Sequence, residues 1–454
     1  MDKKIFLSNT LTKKTEEFVP INGNKVNFFV CGPTVYDYPH LGHAKAYIQF
    51  DFIVRYLRNR GYDVTYLVNI TDIDDKIISR SLEKGVSWEK LAMEFEAVFL
   101  EDMASLHVTS VSKYARATDY IDQIVNQVQV LLDKGFAYQI ADGIYFEVSK
   151  FSEYGKLSGR TELQEEDAVS RVDENKEKRG WNDFCLWKIS KEGEPFWETK
   201  LGKGRPGWHI EDTAITETFF GPQYDVHGGA VDLIFPHHEA EISQMEAASG
   251  LKPLVRYWLH VGFLNIDTKK MSKSRGNFKT IREVLKEFDY KVIRFLFLSS
   301  HYRSPMDFSV TTLDQAKSAL RRMQDFVDKI NKNLDNLDEK KAVLEMKEKM
   351  FLALNNDLDT PTALAILFEF IRSQNSLGVS GKYVYEFFNE INQFFDFFEF
   401  EKKDIPQKVL EIAEKRQQAR KNKDWSESDK FREDILKEGY VVEDEAGGFK
   451  LRKL

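Results

Sequence analysis

The stretch from Lys25 to Ile70 constrains the fold more than any other part of this chain. KVNFFVC is a short apolar, β-rich run ending at Cys31, and the turn residues Gly32, Pro33 and Thr34 follow it. HAKAYIQFDFIVRYLRNRG then carries helical periodicity, with basic residues in its last turn and Gly61 as a stop. YDVTYLVNI is a second strand. Strand, turn, helix and strand in this order make a βαβ unit, which commits the chain to an α/β fold with a Rossmann-type parallel sheet.

The rest of the chain is organised around that sheet. Two helical stretches, 88–107 and 119–136, precede a polar, charged segment at 150–182 with little apolar periodicity, read as part of a surface or connective insertion spanning about 110–205. The βα character returns with YDVHGG (224–229), a helix over 236–250 and a strand over 255–264. From about residue 311 every apolar pattern is helical, and the tail offers one more basic helix and a small hairpin, GYVVEDEAGGFKLRKL. The expected organisation is therefore an α/β catalytic domain over 1–310, a helical-bundle domain over 311–400 and a small C-terminal subdomain over 401–454.

Composition bounds the function. At 454 residues the chain exceeds one compact domain, and 42% hydrophobic with 30% charged residues describes a globular protein. There is no long apolar run and no signal-peptide core at the N-terminus, so a cytoplasmic protein without membrane contact is expected. Two cysteines, Cys31 and Cys185, exclude a disulfide framework. A net charge of −8 argues against a bulk electrostatic grip on nucleic acid, while leaving local basic faces open.

Two motifs carry chemistry. His40 and His43, in HLGH, are spaced i, i+3 at the mouth of the first βα turn, so both can face one ligand at a helix N-terminus, where anions are favoured. Two imidazoles there can donate hydrogen bonds to a phosphate in its transition state, and Gly42 between them allows an adenine ring close. On its own, H-x-G-H fits a pair of surface histidines equally well. The second motif, KKMSKSRGN (269–277), follows a strand and would deliver Lys270 and Lys273 to a triphosphate and its leaving pyrophosphate. The two lie far apart in sequence, as the halves of a doubly wound sheet split by an insertion would be.

HLGH followed by KMSKS resembles the class I aminoacyl-tRNA synthetases, which activate an amino acid with ATP and transfer it to tRNA. FFVCGPTVYDYPHLGHAKAY, NITDIDDKII, YGKLSGR, GRPGWHIED, DVHGGAVDLIFPHHEAEISQ, HVGFL, KMSKSRGN, RFLFLSSHYRSPMDFS and ARKNKDWSESDKFREDIL narrow the resemblance to the cysteinyl-tRNA synthetases, from about residue 20 to the C-terminus. It implies His40, His43, Lys270 and Lys273 as catalytic residues. It implies Gly42, Gly228, Gly229 and Asp232, with the histidines and Lys273, for ATP, and Cys31, Thr71 and Trp208 for the amino-acid pocket. Trp208 fits plain core packing as well. Thr71 and Asp72 follow the second strand, where sheet ends meet ligands. L-cysteine, ATP with Mg2+ and tRNA(Cys) are the implied partners, and a monomer is the implied state.

The resemblance also implies one zinc ion (Zn2+) that binds the thiol of the substrate, with Cys31, His237 and Glu241 at matching ligand positions. His237 and Glu241 are spaced i, i+4, which suits a metal. The chain departs from the family at the fourth position: GWHIEDTAI places Asp212 where a cysteine is usual. Thiolate and carboxylate both carry −1 and both ligate zinc, so Cys31, Asp212, His237 and Glu241 are expected to hold it. The alternative is a lost or weakened metal, with Asp212 holding the substrate ammonium. His209 and His238 are read as structural, and Cys185, in WNDFCLWK, as a small buried thiol.

The resemblance implies an anticodon-binding-like bundle over 311–400 and a tRNA-contacting subdomain over 401–454, and in the tail Arg416, Arg420, Lys421 and Lys423 form a candidate phosphate-contact face, or a solvated helix among acidic neighbours. Three functions are weighed: a cysteine–tRNA ligase, an ATP-dependent cysteine ligase with an amino-sugar acceptor, and a synthetase-like binding protein without activity. The intact His40, His43, Lys270 and Lys273 oppose the third, and the long helical C-terminal part opposes the second.

Overall fold

The computed structural model describes residues 4–162, 175–266, 269–270, 279–378, 380–401, 405–445 and 448–453. The chain divides into two compact units, Met1–Phe398 and Glu399–Leu454.

In the first unit a hairpin of β1 (Phe6–Asn9) and β2 (Lys14–Glu17) precedes the expected βαβ unit of β3 (Lys25–Val30), α1 (Leu41–Asn59) and β4 (Asp63–Ile70). Helices α2 (Asp75–Lys84) and α3 (Trp88–Ser105) lead to β5 (Lys113–Arg116), and α4 (Ile121–Asp133) follows. Strands β6 (Ala137–Ile140), β7 (Gly143–Phe146), β8 (Phe184–Ile189), β9 (Trp197–Thr199) and β10 (Gly202–Pro206) then form a sheet of their own, in the order β6-β7-β8-β10-β9. Helix α5 (Trp208–Phe220), β11 (Tyr224–Ala230), α6 (Glu239–Ser249), β12 (Val255–Val261) and β13 (Leu264–Ile266) complete the catalytic half. The central sheet is five-stranded and wholly parallel, in the order β12-β11-β3-β4-β5.

Two features of the insertion differ from the sequence reading. Lys113–Arg116 belongs to the edge of the central sheet, with Leu67 opposite Lys113 and Ile70 opposite Arg116, so the inserted layer begins after it. The inserted layer is also a folded antiparallel sheet with a core of its own. Ile124, Val128 and Leu131 of α4, Ile144 and Phe146 of β7, Leu186 and Trp187 of β8 and Ile210 of α5 pack into one buried cluster. Cys185 lies in β8 and is buried, as expected of a small apolar thiol.

Gly32 sets the spacing between the first two strands. A Cβ there would lie 1.6 Å from the Asn69 carbonyl oxygen, so only glycine lets the turn after β3 approach β4. Helix α1 starts at His40, which accepts from the Gly42 amide through its side chain, and ends before Gly61 at φ +95°.

From residue 279 onward, α7 (Ile281–Leu285), α8 (Tyr290–Leu298) and a short strand at Met306–Phe308 are followed by four helices: α9 (Val310–Val327), α10 (Leu337–Asn355), α11 (Thr360–Leu377) and α12 (Lys382–Phe395). The aromatic stripe of α12 is core, with Phe387, Phe388, Phe394 and Phe395 all buried. Among the described residues no helix is long and apolar enough to cross a membrane.

The second unit packs α13 (Gln407–Lys421) and α14 (Trp425–Lys437) with a terminal hairpin, Tyr440–Glu445 and Gly448–Lys453, around Val409, Ala413, Ile435, Val442 and Leu451. Arg416 leaves the expected phosphate-contact face. It is 3% exposed, and its Nη1 donates to Asp444 Oδ1 at 2.8 Å. Arg420 Nη2 also reaches Asp444, at 3.3 Å, whereas Lys421 and Lys423 are exposed.

Candidate active site

The C-terminal ends of β3, β4 and β11 open into one cavity of about 1340 Å³, the place where ligands sit in open parallel sheets. On one side lie His40, Gly42 and His43. The His40 Nδ1 accepts from the Gly42 amide at 3.1 Å, and the His43 Nδ1 accepts from the His40 amide at 3.2 Å. With both Nδ1 atoms acting as acceptors, each neutral ring carries its proton on Nε2. The rings stack with centroids 3.9 Å apart and 12° between planes, so both are held in one orientation at the helix N-terminus.

The residues after the KMSKS segment dock on this turn. Leu41 N donates to Lys279 O at 3.0 Å and Ile281 N to Pro39 O at 3.2 Å. Lys45, one turn into α1, donates to the carbonyls of Gly262, Phe263 and Ser304 at 2.6, 3.2 and 2.9 Å, tying α1 to the chain entering that segment. Lys273 lies outside the described residues, and of Lys270 only the backbone is described, in a short strand at Lys269–Lys270 that pairs with β13.

Across the cavity, Cys31 follows β3, Asp212 sits in the first turns of α5, and His237 precedes α6, which carries Glu241. The ligand-type atoms of these four lie within 4.8 Å of one another, and all four residues are buried. The His237 Nε2 is 3.0 Å from Asp212 Oδ2 and 3.6 Å from Glu241 Oε1. Asn69 Nδ2 donates to the other Asp212 oxygen at 2.6 Å, and the His237 Nδ1 meets the His209 Nδ1 at 2.8 Å. His209, which received no role from sequence, thus orients His237.

A second set overlaps the first, and sequence reasoning missed it. Cys31, His227, His238 and Glu241 also bring their ligand-type atoms within 4.8 Å. The Cys31 Sγ is 3.2 Å from His227 Nε2 and 3.1 Å from His238 Nε2. Tyr224 Oη lies 2.7 Å from His227 Nδ1, and His260 Nε2 lies 2.8 Å from His238 Nδ1. Both rings are therefore held through Nδ1, as ligating histidines are.

The donor chemistry fits a divalent cation. Both Glu241 carboxylate oxygens are buried without a hydrogen-bond partner. Burial, and then the neighbouring Asp212, pushes the Glu241 carboxyl well above its usual range. Burial, then Glu241 and Asp212, raises the Cys31 thiol likewise. His227 and His238 are held well below the usual imidazole range, first by burial. A cation reverses this logic by compensating the acidic charges it binds.

The remaining expected residues divide. Thr71, Trp208, Gly229 and Asp232 line the cavity. Trp208 stacks on His237 with centroids 4.1 Å apart. Gly228 is set by packing, since a Cβ there would lie 2.4 Å from Phe50 Cε1 of α1. Asp72 accepts from the Thr118 amide at 3.0 Å and anchors the chain after β5.

Residues 17–318 match the tRNA synthetases class I (C) catalytic domain, and residues 402–452 match the cysteinyl-tRNA ligase anticodon binding domain. The cysteine–tRNA ligase of Clostridioides difficile is 41% identical over 98% of this chain and 99% of its own. That of Thermoplasma acidophilum is 43% identical over 96% of this chain and 97% of its own. This chain belongs to the cysteinyl-tRNA synthetase family. Its fold is also that of Mycobacterium tuberculosis methionyl-tRNA synthetase in complex with methionyl-adenylate. That similarity has a TM-score of 0.61 at 16% identity and covers 78% of this chain and 83% of the other.

Proposed function

We propose that this cavity is where a cysteine–tRNA ligase activates L-cysteine with ATP and passes it to tRNA. The observation that carries the reading is that one cavity is lined by the His40, Gly42 and His43 turn together with Cys31, Asp212 and His237, and by Thr71 and Trp208. In activation, the cysteine carboxylate attacks the α-phosphorus of ATP and pyrophosphate leaves. In transfer, a terminal ribose hydroxyl of the tRNA attacks the acyl carbonyl and AMP leaves. Neither step needs a protein nucleophile, because orientation and charge stabilisation suffice.

The Nε2–H groups of His40 and His43 supply two oriented donors for the phosphate as charge builds on its oxygens. Lys270 and Lys273 are the cations for the leaving pyrophosphate, with Mg2+ carried in by ATP. Gly42, Gly229 and Asp232 border the adenosine, Asp232 accepting from the ribose hydroxyls, while Gly228 keeps α1 close to the sheet. tRNA is favoured over an amino-sugar acceptor because residues 402–452 match an anticodon-binding domain.

Cys31, Asp212, His237 and Glu241 are the residues that would hold zinc. Bound there, the ion would favour a thiolate ligand and so select cysteine over serine, whose hydroxyl does not deprotonate readily. Selection by a direct contact of this kind reaches roughly 10⁴-fold without a separate editing site. The short Cys31 contacts to His227 and His238 support a second seat, in which those two histidines replace Asp212 and His237.

Amino-acid-dependent ATP–pyrophosphate exchange across the twenty amino acids tests the reading. Strong exchange with cysteine and almost none with serine is expected. Exchange with another amino acid, or none, would overturn it.

A further inference from the structure

The carboxylates bordering the cavity are not equivalent. Asp183 accepts from Tyr138 Oη at 2.7 Å, from Val148 N at 2.9 Å and from Gly180 N at 2.8 Å. Asp75 pairs with Arg205 and Lys188, and Asp212 takes Asn69 and His237. Glu211 stands apart. It is 1% exposed, its Oε2 accepts from Thr71 Oγ1 at 3.0 Å, and its Oε1 has no hydrogen-bond partner. A buried carboxylate oxygen without a donor is unfavourable, and a cationic donor arriving from the cavity removes the penalty.

We infer that Glu211 binds the α-ammonium of the amino-acid substrate. The inference rests on the activation reading and deepens it. The thiol of the substrate faces the side of the cavity holding Cys31 and Asp212, and its carboxylate must reach the α-phosphate near His40 and His43. The third substituent of the α-carbon is left facing the sheet end, where Thr71 and Glu211 meet. Asn69 fixes that corner, donating to Thr71 Oγ1 at 3.4 Å and to Asp212 Oδ1 at 2.6 Å, so the ammonium site and the metal group are held by one side chain. An ammonium offers three charged donors, and charge-assisted bonds to a desolvated carboxylate are among the strong ones. Three fixed points also distinguish L-cysteine from its mirror image.

The experiment uses two thiols that cannot both satisfy Glu211. Cysteamine has the ammonium without the carboxylate, and 3-mercaptopropionate has the carboxylate without the ammonium. Each is measured as an inhibitor of cysteine-dependent ATP–pyrophosphate exchange in the wild-type chain, Glu211→Gln and Glu211→Asp, with zinc content and melting temperature recorded for each protein. In Glu211→Gln the cysteamine inhibition constant and the cysteine KM are expected to rise roughly 30-fold, whereas 3-mercaptopropionate and the ATP KM move by less than about threefold. Glu211→Asp, which keeps the charge, is expected to recover part of the cysteamine binding. Parallel changes for both thiols, or no change for either, would overturn the inference. Should Glu211→Gln not fold, Glu211→Asp decides in its place, since a cysteamine inhibition constant and a cysteine KM both within about twofold of the wild type there would overturn the inference. Absence of cysteine-dependent exchange in the wild type would instead overturn the activation reading itself.

Discussion

Replacing Asp212 by asparagine changes one charge at nearly constant shape, and its effect on stability is expected to reverse sign with metal. Without metal, Asp212 and Glu241 are buried acids whose ligand-type oxygens lie within 4.8 Å. Two full charges about 4 Å apart at an effective dielectric of about 20 repel by about 4 kcal/mol, and a proton on Glu241, whose carboxyl is held well above its usual range, relieves much of that. Asparagine removes the repulsion and still offers Oδ1 to Asn69, so chelator-treated Asp212→Asn is expected to equal the wild type or exceed it by about 1–2 kcal/mol. With metal the balance turns, because one anionic ligand is gone. A loss of about 100-fold in zinc affinity is the expected scale. At a free zinc concentration of about 1,000 times the wild-type Kd, linkage gives the wild type about 4 kcal/mol and the variant about 1.4 kcal/mol. Scaling the unfolding entropy to a unit of nearly 400 residues gives about 1.2 °C per kcal/mol. The zinc-induced rise in melting temperature should therefore fall from about 5 °C to about 2 °C. Thermal unfolding of the full chain, stripped and zinc-loaded, reads both signs together. Equal zinc-induced shifts in the two proteins would refute the assignment of Asp212 to the ion and move it to His227 and His238, and counting imidazole ligands by X-ray absorption would then show two.

Three further outcomes follow from the geometry. His40→Asn retains a side-chain acceptor for the Gly42 amide, so melting should shift little while kcat for ATP–pyrophosphate exchange falls on the order of 100-fold with the cysteine KM nearly constant. Lys45→Met leaves the carbonyls of Gly262, Phe263 and Ser304 without their shared donor and should destabilise the chain by about 2–4 kcal/mol, read by urea unfolding. Burial holds His260 at about 3, below the usual 6.5, so the folded state keeps it neutral while the unfolded chain gains a proton. Its contribution is whole above pH 6.5 and lost as pH falls towards 3, by about 2–3 kcal/mol at pH 4.5; His260→Gln should flatten the pH dependence of unfolding by about one proton over that range.

The parts of this molecule legible in sequence are those whose signal is local. The βαβ unit declares itself because a buried strand, a glycine turn and a capped helix occupy consecutive residues, and His237 and Glu241 because i, i+4 spans only the one turn that leads into α6. The inserted sheet is not legible in this way. Its strands are three to six residues long, and β7 pairs with β8 across a long charged excursion, so no window of sequence contains both partners. The edge strand Lys113–Arg116 fails similarly, having one buried side chain in four. His227 sits in a strand between Val226 and Gly228, where its neighbours look like sheet core, and only the fold brings it within 3.2 Å of Cys31. One usable signal was the alternation in DVHGG, which turns His227 to the opposite face from Val226.

Asp212 shows how a departure from a family pattern can be supported by its surroundings. A thiolate presents one sulfur atom, whereas a carboxylate presents two oxygens that can do different work. Here Oδ1 takes the Asn69 amide at 2.6 Å, while Oδ2 faces His237 at 3.0 Å. Asn69 is fixed in turn by the Gly32 amide, which donates to its Oδ1 at 2.5 Å across the approach that only a glycine permits. The orientation of the carboxylate is thus set through the first βαβ unit, which would lower the entropy lost on binding an ion and favour a carboxylate of this length at this place. The residue that looks most anomalous in the sequence is, in the fold, tied to the turn that most constrains it.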